Sequence, residues 1–224
     1  MMLNFVSLKS KLIQKKSLLS MKVFKFYGEA INERSIAACV ALLQKGNVII
    51  IPTDTVYAFA ADINSSVGVE QICKIKNVKL QKANFSFLCS DLSHVSDYTR
   101  PISNSIFRLM KNNLPGPFTF ILNAGGKVPN LFKSNKKTIG IRVPSNAVSI
   151  ALVRALGNPL MVSSLHDDDA LLDYTTDPEV IAERFENTVE AMIDGGYGDF
   201  TPSTVIDCSG EEPIIIREGK GIID

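Results

Sequence analysis

Residues 48–62 read V-I-I-I-P-T-D-T-V-Y-A-F-A-A-D. Four apolar residues open the run and predict a buried strand that ends at Pro52. Thr53, Asp54, Thr55 and Tyr57 then fall within five positions. Ligands of α/β proteins sit at the carboxyl ends of strands, so hydroxyls and a carboxylate delivered there form a natural rim for a small-molecule pocket. Pro-Thr-Asp-Thr is also ordinary turn chemistry, with Asp54 folding back on nearby backbone N–H groups. The stretch alone leaves both readings open.

Strand and helix signals alternate on either side of it. Residues 23–26 predict a first strand. Asn32 caps a helix with Ile36, Val40 and Leu43 on one face, ended by Gly46. Ser66 is expected to begin a second helix that buries Val69, Ile72 and Cys73. Strands are predicted at 85–89, 118–122, 138–144, 160–164, 189–193, 203–208 and 214–217. Shorter helices are predicted behind Asp91, Ser103, Ser145 and Asp177, the one behind Ser103 burying Ile106, Phe107 and Met110. Leu114-Pro115-Gly116-Pro117 excludes helix and interrupts a strand ladder. The interleaving, without a linker or repeat, predicts one α/β domain over residues 21–224. Short strands, some joined as hairpins, predict a mixed sheet with flanking helices.

The chain has 224 residues, 46% hydrophobic and 21% charged, the composition of a soluble globular protein. Cys39, Cys73, Cys89 and Cys208 are far apart, so reduced thiols in a cytoplasmic protein are expected over a zinc site or disulfide framework. No segment approaches the ~18 continuous apolar residues of a membrane span. Residues 1–20 carry Lys9, Lys11, Lys15 and Lys16 and no acid; their interrupted apolar pattern is not that of a signal peptide and reads as a disordered or frayed basic extension. With a net charge of +1 for the chain, removing those four lysines leaves −3 over residues 21–224, so a nucleic-acid partner would need a local basic patch.

The sequence holds no G-x-x-x-x-G-K-[ST] and no G-x-G-x-x-G after a strand. A phosphate would have to meet lysines and backbone amides, and Lys76 and Lys82, with Lys74 and Lys79 beside them, are the candidates. Arg142, late in a strand, has the fork to grip a carboxylate or phosphate. Ser163 with Ser164 and Ser203 with Thr204 are hydroxyl pairs at strand ends. His166 with Asp167, Asp168 and Asp169 reads as a solvated acidic loop in preference to a Mg²⁺ site. His94 has no matching Cys or Ser partner and receives no role.

Taken in order, P-T-D-T-V-Y at 52–57, I-K-x-x-x-x-x-K at 75–82, L-P-G-P-F-T-F at 114–120, I-R-V-P at 141–144, S-S at 163–164 and P-S-T-V-I-D at 202–207 resemble the YrdC/YciO family, with S-F-L-C-S-D-L-S and F-R-L-M-K-N-N closer to its YciO branch. The resemblance covers essentially residues 21–224. It implies a twisted α/β fold with an open concave face. It implies an L-threonylcarbamoyladenylate synthase-like nucleotidyltransferase that joins L-threonine, bicarbonate and ATP, with Mg²⁺, and releases pyrophosphate. That product leads to N6-threonylcarbamoyladenosine in tRNA. By the same resemblance Lys76 and Lys82 bind phosphate, Thr53, Thr55 and Tyr57 rim the threonine, Arg142 lies in that pocket, and Ser163, Ser164, Ser203 and Thr204 lie near the nucleotide. Where active members carry K-x-R and S-x-N, this chain reads Lys76-Asn77-Val78 and Ser164-Leu165-His166. Valine cannot bind phosphate and histidine only partly imitates asparagine, so weakened or altered synthase activity is implied. A module that binds tRNA or double-stranded RNA through the lysine cluster, with Lys133, Lys136 and Lys137, is the alternative.

Overall fold

In a computed structural model of the protein, describing residues 21–26, 31–80, 83, 85–132, 137–165 and 176–223, the stretch 48–62 forms two strands. β1 is Lys22–Lys25 and α1 Glu33–Gln44; β2 (Ile49–Ile51) and β3 (Ala58–Asp62) follow, then α2 (Ser66–Ile75) and β4 (Ser86–Leu88). The chain continues through α3 (Leu92–Tyr98), α4 (Asn104–Asn113), β5 (Phe118–Asn123), a 3₁₀ turn at Asn130–Phe132 and β6 (Thr138–Arg142). It ends with α5 (Ala147–Leu156), β7 (Leu160–Ser164), α6 (Pro178–Phe185), β8 (Ala191–Asp194), β9 (Thr204–Asp207) and β10 (Ile214–Arg217). β2 and β3 pair antiparallel, Ile50 opposite Phe59, so the polar residues 52–57 lie in the connection between them. All eight residues of the two strands are buried.

All ten strands join one mixed sheet in the order β1-β8-β2-β3-β7-β4-β6-β5-β9-β10. Pairings β1/β8, β8/β2, β4/β6 and β5/β9 are parallel and the others antiparallel. Because side chains alternate across a strand, the sheet separates two cores. Ile50, Phe59, Phe87, Phe120, Ile141 and Met161 face α2, α3, α4 and α6, whose Ile72, Val95, Met110 and Ile181 join them. On the other face Ile49, Ile51, Ala58, Ala60, Leu160 and Val162 pack against Ile36, Cys39 and Leu43 of α1 and Leu152, Val153 and Leu156 of α5. Neither α1 nor α5 supplies cover on that face for β6, β5 and β9, whose residues there include Gly140, Arg142, Thr119 and Val205. This half of the face is open.

Local chemistry sets the helix ends. The side chains of Asn32, Asp91, Ser103 and Asp177 accept backbone N–H groups at the predicted starts. α2 begins at Ser66 as expected, with Ser65 as its cap, the Ser65 Oγ accepting from Gly68 N at 3.1 Å. Asn146 caps α5 where Ser145 was expected, its Oδ1 accepting from Ser149 N at 3.0 Å, while the Ser145 N–H donates to Asp54 Oδ2 at 3.0 Å. Phe107, expected inside, is 40% exposed, and Cys73 is only half-buried; the inner face of α4 is Ile106, Met110 and Asn113. The predicted acidic loop at 166–169, Lys82, Lys133, Lys136 and the extension 1–20 lie outside the described residues.

All four cysteines are free. Burial pushes the Cys39 thiol up to about 12 and the Cys208 thiol to about 11, and raises Cys89 further. Since the thiolate is the reactive form, iodoacetamide at pH 8 should label native Cys73 first and the other three only on unfolding, as read by mass spectrometry. Ile50, fully buried between two strand neighbours, tests the sheet: Ile50→Ala should cost about 2–5 kcal/mol in urea unfolding.

Candidate functional site

The connection between β2 and β3 is anchored from below by a buried ion pair. Asp54 Oδ1 accepts from Arg142 Nη2 at 2.7 Å, with both side chains more than nine-tenths buried. Asp54 Oδ2 accepts the Ser145 N–H. The same Arg142 nitrogen donates to Thr55 Oγ1 at 2.9 Å. Thr55 Oγ1 lies 3.1 Å from Thr53 Oγ1, and Thr53 donates to the Val56 carbonyl at 2.7 Å. With Arg142 a donor only, the hydroxyls align in one direction: guanidinium to Thr55, Thr55 to Thr53, Thr53 to the backbone. Ser149 Oγ fixes the start of the connection by donating to the Pro52 carbonyl at 2.6 Å.

On the open half of the sheet lies a cavity of about 390 Å³, inside the ~300–1,000 Å³ range of small-molecule sites. Ala58, Val162, Phe85 and Ile121 give it apolar wall, and Thr119, Ser163, Ser164 and Ser203 give hydroxyls. Among the described residues its charged groups are Arg142 and Arg217. Arg142 Nε is buried without a hydrogen-bond partner, which in a low-dielectric site is costly unless a ligand supplies an acceptor. Burial pulls the Arg142 pKa below its ordinary value; Asp54 opposes that shift and the like charge of Arg217 adds to it. Two guanidiniums on one wall suit an anion.

Gly140 leaves little room for a side chain on this wall. A Cβ there would come within 2.9 Å of Ser86 Oγ and 3.2 Å of the Phe85 carbonyl. Ser203 Oγ lies 2.8 Å from Thr119 Oγ1, and its carbonyl accepts from Arg217 Nη2 at 2.9 Å. The register of β10 against β9 shifts between Ile215 and Arg217, which lets the successive residues Ile216 and Arg217 both reach the cavity.

Of the residues singled out by sequence, Arg142, Ser163, Ser164 and Ser203 meet on the cavity wall, and Thr55 and Thr53 stand behind Arg142. Tyr57 is not on the wall: it is 1% exposed, its hydroxyl donating to the Gly196 carbonyl at 2.6 Å and accepting from Gly195 N at 3.0 Å. Thr204 is likewise off the wall, its hydroxyl donating to the Gly221 carbonyl. Lys76 is the half-buried C-cap of α2 and does not line the cavity. Arg217 was missed, because a lone arginine closing an apolar strand carries no signal of its own. His94 also has a serine neighbour after all. Ser90 Oγ lies 3.2 Å from His94 Nδ1, but Asp91 accepts from Ser90 Oγ and from the His94 backbone N–H, not from the imidazole. That is a helix cap, and burial lowers the His94 pKa.

The fold and this wall define an open-faced α/β domain with an anion-suited, small-molecule-sized cavity. A family model described as telomere recombination, covering Sua5, YciO and YrdC, matches residues 41–219. The uncharacterized protein YciO of Escherichia coli K12 is 42% identical over 191 residues, 84% of this chain and 91% of that protein. A crystal structure of E. coli YciO superposes with a TM-score of 0.83 at 40% identity, covering 90% of this chain and 97% of that one. The threonylcarbamoyl-AMP synthase of Bacillus subtilis is 28% identical over 84% of this chain and 54% of the enzyme. Sua5 of Pyrococcus abyssi complexed with L-threonine shares the fold, with a TM-score of 0.78 at 23% identity over 88% of this chain and 57% of that one. The chain belongs to the Sua5/YciO/YrdC family.

Removing one partner of the Asp54–Arg142 pair strands the other charge, so Asp54→Ala should lose about 3–5 kcal/mol in urea unfolding; a loss below ~1 kcal/mol would show that the pair is not buried as described. A second carboxylate gives a pH signature. Asp199 is held below the usual carboxylate range, first by the hydrogen bond from Lys220 and then by the Thr201 N–H. Its stabilising effect is complete above the unfolded value of about 3.9 and disappears as the pH falls through the depressed folded value. The difference in melting temperature between wild type and Asp199→Asn should therefore be present at neutral pH and close in acid.

Proposed function

We propose that this protein is a nucleotidyltransferase of the threonylcarbamoyl-AMP synthase type, acting on L-threonine, bicarbonate and ATP in the cytoplasm, with weakened or altered activity. The observation that carries the reading is Arg142, on the cavity wall, with one buried donor unmatched. A threonine-derived carboxylate supplies the acceptor that nitrogen lacks, and a charge-assisted bond of this kind is among the stronger polar contacts. The family membership and the synthases among its relatives support the reaction class.

In that reaction a carbamate oxygen attacks the α-phosphorus of ATP, an O–P bond forms, and the bond from the α-phosphorus to the bridging oxygen breaks with loss of pyrophosphate. The protein's part is to align the carbamate and to neutralise phosphate charge. Arg142 orients the threonyl part and Ser163, Ser164, Ser203 and Arg217 receive the nucleotide; the resemblance assigns the leaving phosphates to Lys82 and to Lys76, which stands off the cavity wall. Among the described residues the wall offers guanidiniums and hydroxyls but no carboxylate, and no cluster of three metal-ligating side chains forms. These residues do not fit a resident Mg²⁺; the ion would arrive as the counter-ion of the nucleotide. Val78, 38% exposed beside Lys76, offers phosphate no donor, which is why the activity is placed as weak.

Pyrophosphate release from L-threonine, bicarbonate, ATP and Mg²⁺ should exceed that without threonine, and Arg142→Ala should lower it about tenfold or more. No release above background would overturn the reading. The exposed Lys74 and Lys79 at the end of α2 favour a second one, an RNA-binding module. It predicts tRNA or double-stranded RNA affinity that falls steeply between low and moderate salt.

A further inference from the structure

Behind β10 the chain turns back across β9 and is fastened there. The Lys220 N–H donates to the Pro202 carbonyl at 2.8 Å. Thr204 Oγ1 accepts from Gly219 N at 3.0 Å and donates to the Gly221 carbonyl at 2.6 Å, so one hydroxyl pins the tail at two points. A methyl group on Gly219 would collide with the Pro202 carbonyl and the Ser203 backbone, and one on Gly221 with the Phe118 ring. The backbone that carries Lys220 is therefore held close to a fixed place.

From that place the Lys220 ammonium reaches two other segments. It lies 2.7 Å from Asp199 Oδ2 and donates to the Asp54 backbone carbonyl at 2.9 Å. The Asp199 N–H in turn donates to the Thr55 carbonyl at 3.1 Å. Tail, 195–203 loop and 52–57 connection are thus clasped by one cation, at the residue whose carboxylate holds Arg142.

We propose that Lys220 is a positioning residue for the cavity: by holding the Asp54 backbone it sets where the Arg142 guanidinium meets an anionic ligand. The proposal rests on the reading of the cavity as an anion site. The ion pair is part-exposed, with side-chain accessibilities of 42% and 33%, so its weight in global stability is small. A displacement of Asp54 passes directly to Arg142 through their 2.7 Å contact, and misplacing a binding group by about 1 Å can cost on the order of a hundredfold in function.

The test uses the full chain as wild type, Lys220→Met, Lys220→Arg and Asp199→Asn. Two readouts are followed: the assigned Arg142 Nε–H signal in ¹⁵N spectra, recorded without ligand, and the Kd for L-threonine by calorimetry. Lys220→Met should move the Arg142 signal and raise the Kd about tenfold, with little change in melting temperature. Asp199→Asn should shift both in the same direction, and Lys220→Arg should restore both. An Arg142 signal in Lys220→Met that coincides with wild type overturns the proposal, as does an unchanged Kd where wild type binds. If wild type does not bind L-threonine, the proposed function falls, and the Arg142 signal alone decides the role of Lys220.

Discussion

The pairing of Asp54 with Arg142 is the charged centre of a set of bonds, with Ser145 N–H to Asp54 and Ser149 Oγ to the Pro52 carbonyl, that joins distant parts of the chain. Arg142 ends β6 and Asp54 lies between β2 and β3, with β7 and β4 standing between them in the sheet. Two charges taken from water repay their desolvation only when geometry and additional hydrogen bonds are good. Here the remaining acceptor of Asp54 is met by the Ser145 N–H, and the hydroxyls of Thr55 and Thr53 carry the donor's direction onward. What is left over is Arg142 Nε, a buried donor without a partner, on a side chain that lines the half of the sheet face left uncovered by helices α1 and α5 among the described residues.

The open half coincides with where polar residues and a glycine interrupt the apolar run, although Ile121 and Val205 remain on it. On the face shared with α1 and α5, β2, β3, β7 and β8 present Ile49, Ile51, Ala60, Leu160, Val162 and Ile193. Toward β6 and β5 the same face carries Thr138, Gly140, Arg142 and Thr119, which cannot bury against a helix without partners. A sheet built this way keeps a solvent-facing hollow for physical reasons before any ligand is considered. The bulge in β10 then lets the exposed Arg217 line the cavity beside Ile216, as bulges near sites often re-aim a side chain.

Much of this was legible in the sequence. Helix caps at Asn32, Asp91, Ser103 and Asp177, the mixed sheet and the cavity residues Arg142, Ser163, Ser164 and Ser203 follow from local signals and from motif order. The second strand of the opening stretch was not legible, because A-F-A-A-D, buried on both faces, shows no alternation for a period of two to reveal. Tyr57 looked like part of a rim; its ring packs where Gly198 leaves space and its hydroxyl is satisfied by a glycine loop 138 residues on, a partnership no local pattern contains. Arg217 and Lys220 are in the same position. Their roles depend on a register shift and on a tail folding back, and both are long-range facts.

Under the proposed function, Arg142 Nε is the donor that a ligand's anionic oxygen satisfies. Crystals soaked with L-threonine and ATP test this most directly. The account predicts L-threonine in the cavity with a carboxylate oxygen within hydrogen-bond distance of Arg142 Nε, and nucleotide alongside Ser164, Ser203 and Arg217. L-threonine bound elsewhere, or a cavity that stays empty of both at saturating concentration, would contradict it.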